Sequence, residues 1–220
     1  MLMINEFREK YNIKVCTDHT GKMTGLCSIS TSCMCNENCT KRRNIKDSIC
    51  SRCFSATMQK RMNTLQSVLI ENYNVLTTTL IPVEDMPMLY SPSGLFRLEA
   101  FGDVATTIQV VNYFNFCIYN SHLQFALWTK NPWIIEQAMK EYNLEKPSNL
   151  RIIGSSYMIN EPMEKFFKKY DFIDNLFTVY RKKYATENNI DITCGARSCA
   201  KCRKCYDGTH ETFEIRELLK

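Results

Sequence analysis

The chain has few of the residues that punctuate loops. With 7 Gly and 6 Pro in 220 residues and no Ser/Gly-rich stretch, it holds no long flexible linker or low-complexity segment. Long apolar runs are also missing: stretches such as Gln124 to Trp128 fall far short of the ~20 residues that cross a bilayer, which predicts no membrane contact. The start, Met1-Leu2-Met3-Ile4-Asn5-Glu6-Phe7-Arg8, lacks the basic region, apolar core and small-residue cleavage site of an export signal, so a cytoplasmic protein is expected. His19, His122 and His210 share no useful spacing, and there is no Ser-His-Asp pattern, P-loop or G-x-G-x-x-G fingerprint. Hydrolase, nucleoside-triphosphatase and dinucleotide readings therefore fall away.

What the chain does have is 12 Cys. In a protein that is not exported, thiols stay reduced, so clustered short spacings point to metal or redox chemistry rather than to structural bridges. The net charge of +5 is concentrated in Lys41-Arg42-Arg43, Arg181-Lys182-Lys183 and Lys201 to Lys204, which form either a solvated face or a contact for nucleic acid.

With 45% hydrophobic and 23% charged residues, the sequence predicts one domain, 1–220. It divides into a cysteine-rich segment (1–54), an α/β core (55–190) and a C-terminal cysteine segment (191–220). Residues 1–54 hold seven cysteines with little periodicity and are expected to form loops around a metal. Met58, Met62, Leu65, Leu69 and Leu76 share a face of one long helix from Ser55 to about Leu80, ended by Pro82.

Apolar runs at Phe96 to Phe101, Gln124 to Trp128, Leu150 to Gly154 and Leu176 to Tyr180 recur at intervals of about 25 to 28 residues. Helix-like stretches at 104–119, 132–142 and 161–170 separate them, with Pro132 and Pro162 near first turns. This is the alternation of parallel βαβ units, and a partial (β/α) barrel is preferred over an open sheet. The carboxyl ends of the strands then carry Glu99, Asp103, Thr129, Lys130, Ser155 and Ser156.

Cys194, Cys199, Cys202 and Cys205 form a C-x4-C-x2-C-x2-C array interleaved with Arg197, Lys201, Arg203 and Lys204. Such charged neighbours suit a metal site rather than a core of unliganded thiols, and the density of spacings favours an iron–sulfur cluster, with zinc as the alternative. At the other end lie Cys27, Cys33, Cys35, Cys39, Cys50 and Cys53. The preferred set is Cys33, Cys39, Cys50 and Cys53, because the last pair has chelate spacing and leads into a helix, with Cys35 as competitor. One or two clusters are compatible with these sets, including one shared by Cys50, Cys53, Cys202 and Cys205. Cys16 and Cys117 lack neighbours, and Cys117 belongs to an apolar run that reads as core.

Arg97, Glu99 and Phe101 alternate toward one side of the first central strand. Glu99 and Asp103 are thus candidates for proton transfer or ligand contact, with Gly102 permitting close backbone approach; an Arg97–Glu99 ion pair is the structural alternative. Lys130 is placed to meet an anionic ligand, Ser155 and Ser156 to hold a cofactor, and Asn131 to cap the following helix.

These strings resemble a family, the phage gene-product-eighty-eight proteins. The likeness spans nearly the whole chain. It rests on Ser28-Ile29-Ser30-Thr31-Ser32-Cys33, on Cys50, Cys53, Phe54, Ser55 and Ala56, on Phe96 to Asp103, on Ala126 to Lys130, and on Cys194 to Tyr206. It implies a bacterial or phage-infected host cell and no particular activity. The strand–helix core with its cysteines also resembles, in architecture only, the partial barrels of radical S-adenosylmethionine enzymes, which implies S-adenosylmethionine as a ligand. The hallmark C-x3-C-x2-C is incomplete: Cys35 and Cys39 give the first spacing, but Arg42 stands at the third cysteine. The combined expectation is a 4Fe–4S protein in redox or radical chemistry on an unidentified substrate or redox partner. The alternative is a zinc-stabilised nucleic-acid-binding or accessory protein.

Overall fold

A computed structural model describes residues 2–17 and 19–219. Its frame is six strands: β1 (Cys27–Ile29), β2 (Leu95–Leu98), β3 (Gln124–Thr129), β4 (Leu150–Ser155), β5 (Asn175–Tyr180) and β6 (Glu214–Leu218). All pair in parallel, in the order β1-β2-β3-β4-β5-β6, and the sheet is open. The four expected strands are present. β1 and β6 extend the sheet at its two edges.

The helices are α1 (Ile4–Tyr11), α2 (Glu37–Arg43), α3 (Phe54–Arg61), α4 (Asn63–Leu76), α5 (Thr107–Tyr119), α6 (Pro132–Glu141), α7 (Glu164–Phe167), α8 (Lys182–Glu187), α9 (Cys199–Cys202) and α10 (Lys204–Asp207). None among the described residues is long and apolar enough to cross a membrane. Two expectations are corrected here. The long helix breaks at Met62, which is extended (φ −128°, ψ 92°) and about half exposed. The break lets α3 bury Ser55, Ala56 and Gln59 while α4 buries Leu69, Asn72 and Leu76. The helix expected over 161–170 contracts to the single turn of α7.

Strands in sequential parallel order with right-handed crossovers carry their helices on one face. On that face Phe96, Leu98, Phe125, Leu127, Leu150, Ile152 and Leu176 pack with Val110, Phe114 and Phe116 of α5 and Ile134, Ile135 and Ala138 of α6. Each such aromatic or aliphatic side chain contributes about 1.5–3 kcal/mol on full burial. Gly154 of β4 faces the same way, and a Cβ there would lie 2.6 Å from Cγ of Phe167. Gly154→Ala is therefore expected to cost ~1–3 kcal/mol through overpacking, read as a lower denaturation midpoint. An unchanged midpoint would mean that α7 yields freely.

The opposite face is covered differently. Leu26, Leu95 and Ala126 form a second, smaller core with Tyr206, and Trp128, Cys199, Ala200 and Cys205 pack against it. The C-terminal cysteine segment, with α9 and α10, thus lies across the face of the sheet opposite α5 and α6.

Candidate functional site

β1 ends at Ile29, and the chain crosses the carboxyl end of β2. Glu99 donates its backbone N–H to Ile29 O at 2.9 Å, and the Ala100 N–H reaches Ser30 Oγ at 2.9 Å. Next comes Cys33. Its neighbours are fixed by α3, where Gln59 accepts from Ser32 Oγ (2.6 Å) and donates to Cys33 Sγ (3.2 Å) and to Ser55 Oγ (2.9 Å). Cys39 lies in α2, whose N-cap Asn36 accepts from the Asn38 and Cys39 amides and donates to Asp103 O and Val104 O. Cys50 sits in the 3-10 turn Ile49–Arg52, and Cys53 caps α3 by accepting the Ala56 N–H at 3.4 Å.

Three separate stretches are brought together in this way. Cys33 is a neighbour of Cys53 and Cys39, Cys39 of Cys50, and Cys50 of Cys53, so the four thiols influence one another around a ring. The S–H of Cys33, together with the Ala56 amide and Lys130, lowers the Cys53 pKa against the opposing effect of burial. Cys33 is raised correspondingly, and burial raises Cys39 and Cys50. Lys130 and Arg42 act on Cys39 and Cys50 in the opposite sense. Cys35 and Cys39 both lie near Tyr73 of α4.

Among the described residues no three His, Cys, Asp or Glu side chains stand at the spacing of a site for one metal ion.

The polar residues beside it have defined tasks. Asp103 is buried: Oδ1 accepts Thr129 Oγ1 (2.7 Å) and the Val104 N–H (2.9 Å), and Oδ2 accepts the Lys130 N–H (2.9 Å). It therefore fixes the backbone of Lys130, whose ammonium has no carboxylate partner among the described residues. Arg42, 7% exposed, donates to Lys130 O at 3.0 Å and to Asn131 Oδ1, and its guanidinium lies against the rings of Trp133 and Tyr157. Asn131 occupies the N-cap position of α6 without capping it, because its side chain is spent on Arg42 and on Val104 O.

Glu99 departs from the expected alternation. Its φ of +58° turns it away from Arg97 and under α5. Oε1 accepts Thr31 Oγ1 (2.7 Å), Gln109 Nε2 (2.6 Å) and Tyr113 OH (2.5 Å), and Oε2 accepts the Thr31 N–H (3.0 Å). Burial raises its carboxyl pKa despite these donors. No Arg97–Glu99 ion pair forms. A Cβ on Gly102 would stand 2.6 Å from Thr31 O, so glycine is what lets the two loops meet. Ser155 and Ser156 end β4 as buried residues, and Ser156 Oγ accepts the Met163 N–H at 3.0 Å; neither contacts a cysteine.

The C-terminal cysteines form a set of their own. Cys199 feels Cys194 and Cys202, and Cys205 feels Cys194, Cys199 and Cys202. Burial, then these neighbours, push the Cys205 thiol up to about 12, and burial raises Cys199. Lys22 donates to Cys194 Sγ (3.1 Å) and pairs with Glu217 (2.8 Å). Arg97 stacks on Trp128 at 4.3 Å beneath Cys199 and Cys205, with its Nε buried and unbonded. His210 Nε2 lies 3.3 Å from Cys205 Sγ.

Lys22 and Gln59 escaped the sequence reading, because they meet their cysteines only through the fold. Arg97 was weighed only as a partner of Glu99, and His210 was set aside for lack of spacing although it stands five residues from Cys205.

A family model described as Gene product 88 matches residues 6–215. No curated protein and no solved structure matches the chain.

Proposed function

The chain belongs to the Gene product 88 family, and we propose that it is an iron–sulfur protein acting in redox chemistry, built on a partial-barrel frame. The observation that carries this reading is the ring of Cys33, Cys39, Cys50 and Cys53, assembled from three stretches at the carboxyl ends of the strands. Sequential parallel order, with the cysteine-bearing loop directly after β1, supports the frame.

The donor set fits such a group. Four soft thiolates suit iron–sulfur or zinc chemistry, and Lys130 and Arg42 offset part of the charge that four thiolates accumulate. When bound, a cluster would supply one-electron transfer. The protein's own residues would hold and shield it: Gln59 donates to Cys33 Sγ, the Ala56 amide to Cys53 Sγ, and Asp103 fixes Lys130 beside Cys39 and Cys50. A second cluster is proposed for Cys194, Cys199, Cys202 and Cys205. With four protein thiolates in a set, no coordination position is reserved for S-adenosylmethionine, so electron transfer is favoured over radical chemistry on that ligand. The protein purified without oxygen should show a broad band near ~400 nm that bleaches with dithionite; a colourless protein sinks the reading.

The rival, a zinc-held nucleic-acid-binding protein, is favoured by exposed Lys201 and half-buried Lys204 beside the C-terminal set. It requires oligonucleotide binding that weakens steeply between roughly 50 and 200 mM salt, and absence of binding at the lower salt removes it.

A further inference from the structure

Beside the N-terminal cysteine ring the surface opens into a hollow of about 320 Å³. Cys50, Cys53, Arg43, Arg52 and Lys60 are among the residues that line it. From Ser48 to Ile70 the chain holds no acidic residue, and among the described residues no carboxylate pairs with Arg43, Arg52, Lys60 or Arg61. Arg43 reaches inward from this rim to Cys33 O at 3.5 Å and Met34 Sδ at 2.9 Å. At the edge Phe54, next to Cys53, is 66% exposed, with one ring face stacked on Phe101 at 6.3 Å.

We infer that this hollow is the docking surface for a small acidic electron-transfer protein that delivers electrons to the Cys33, Cys39, Cys50 and Cys53 site. The inference rests on the iron–sulfur reading and names the partner of that site. Unpaired cations attract an acidic partner over a distance, steer its approach and leave the encounter weak enough for turnover. Phe54 supplies the single apolar anchor that such a small contact needs. Cys50 and Cys53 line the hollow, so a partner docked there would stop where the path to a cluster held by them is short.

A nucleic acid fits this surface less well. Single strands are held by several aromatic platforms in a basic groove. Here one aromatic is exposed, and one of its faces is already covered.

The electron balance is simple. The reduced carrier would lose one electron and a cluster held by Cys33, Cys39, Cys50 and Cys53 would gain it, with no bond or proton moved.

The test uses the full-length protein purified without oxygen, with reduced acidic flavodoxin as the probe. Reduction is followed by stopped flow at low and high salt in the wild type, in Arg52→Glu/Lys60→Glu, and in Lys60→Glu alone, because Arg52 lies between two proposed ligands. The expected result is fast reduction of the wild type that slows with salt and falls at least about ten-fold in the double variant. Lys60→Glu should show a smaller loss in the same direction. Dithionite reduction and the absorption spectrum should match the wild type throughout.

Equal flavodoxin rates and equal salt dependence in all three proteins overturn the inference. So does a wild type that dithionite reduces and flavodoxin does not, and so does loss of oligonucleotide binding in the variants with unchanged flavodoxin rates. A protein with no chromophore for dithionite to bleach instead refutes the iron–sulfur reading beneath it.

Discussion

Replacing Cys39 and Cys50 together by Ala should leave a folded protein that carries about half the iron of the wild type, with the Cys202→Ala/Cys205→Ala variant losing the other half. The two sets are independent in their surroundings. Lys130, Arg42 and Asp103 act on Cys39 and Cys50, whereas Lys22 and Arg97 act on Cys199. No interaction described for either set reaches the other. Cys39 and Cys50 are chosen because their thiols are the least involved in holding the chain, Cys33 and Cys53 being tied to Gln59 and to the Ala56 amide. Iron and sulfide measured on the two variants and on their combination check this. Loss of all iron in either double variant would mean that the two ends serve one shared cluster.

The second large effect concerns Glu99. Glu99→Gln should lower stability by about 1–3 kcal/mol, because the carboxylate accepts from Thr31, Gln109 and Tyr113 at both oxygens and an amide must turn its NH2 toward one of those donors. Thr31 is two residues from Cys33, so iron content should fall with stability. The pH dependence has a defined sign. The folded-state pKa of Glu99 is raised, so its contribution is fully present below the unfolded carboxylate value and is lost as pH rises through the folded one. The gap between wild type and variant should therefore be wider at about pH 5 than at about pH 8 in urea denaturation. A variant that keeps its stability and its iron would return Glu99 to the role of ligand contact.

The four central strands were legible because each is a short apolar run closed by turn residues, and the alternation with helices dictated parallel pairing. β1 and β6 were not. β1 has three residues, and Glu214–Leu218 alternates charge with apolar side chains at a sheet edge. The break at Met62 was hidden because helical periodicity runs on through an extended residue while the helix axis changes. Glu99 was placed on the wrong side because alternation assumes extended backbone, and one left-handed residue just past the strand reverses it. The cysteine sets were readable from spacing, which brings ligands within reach along the chain. The fold places Cys33, Cys39, Cys50 and Cys53 near one another, while the supporting groups Gln59, Lys22 and Arg97 depend on contacts that spacing does not encode.

The most direct measurement is iron, acid-labile sulfide and zinc quantified on one sample of protein purified without oxygen. The account predicts iron and sulfide in near-equal amounts, about four of each for every occupied cysteine set, with little zinc. Zinc alone, without sulfide or colour, would contradict it and leave the cysteines as a structural metal site.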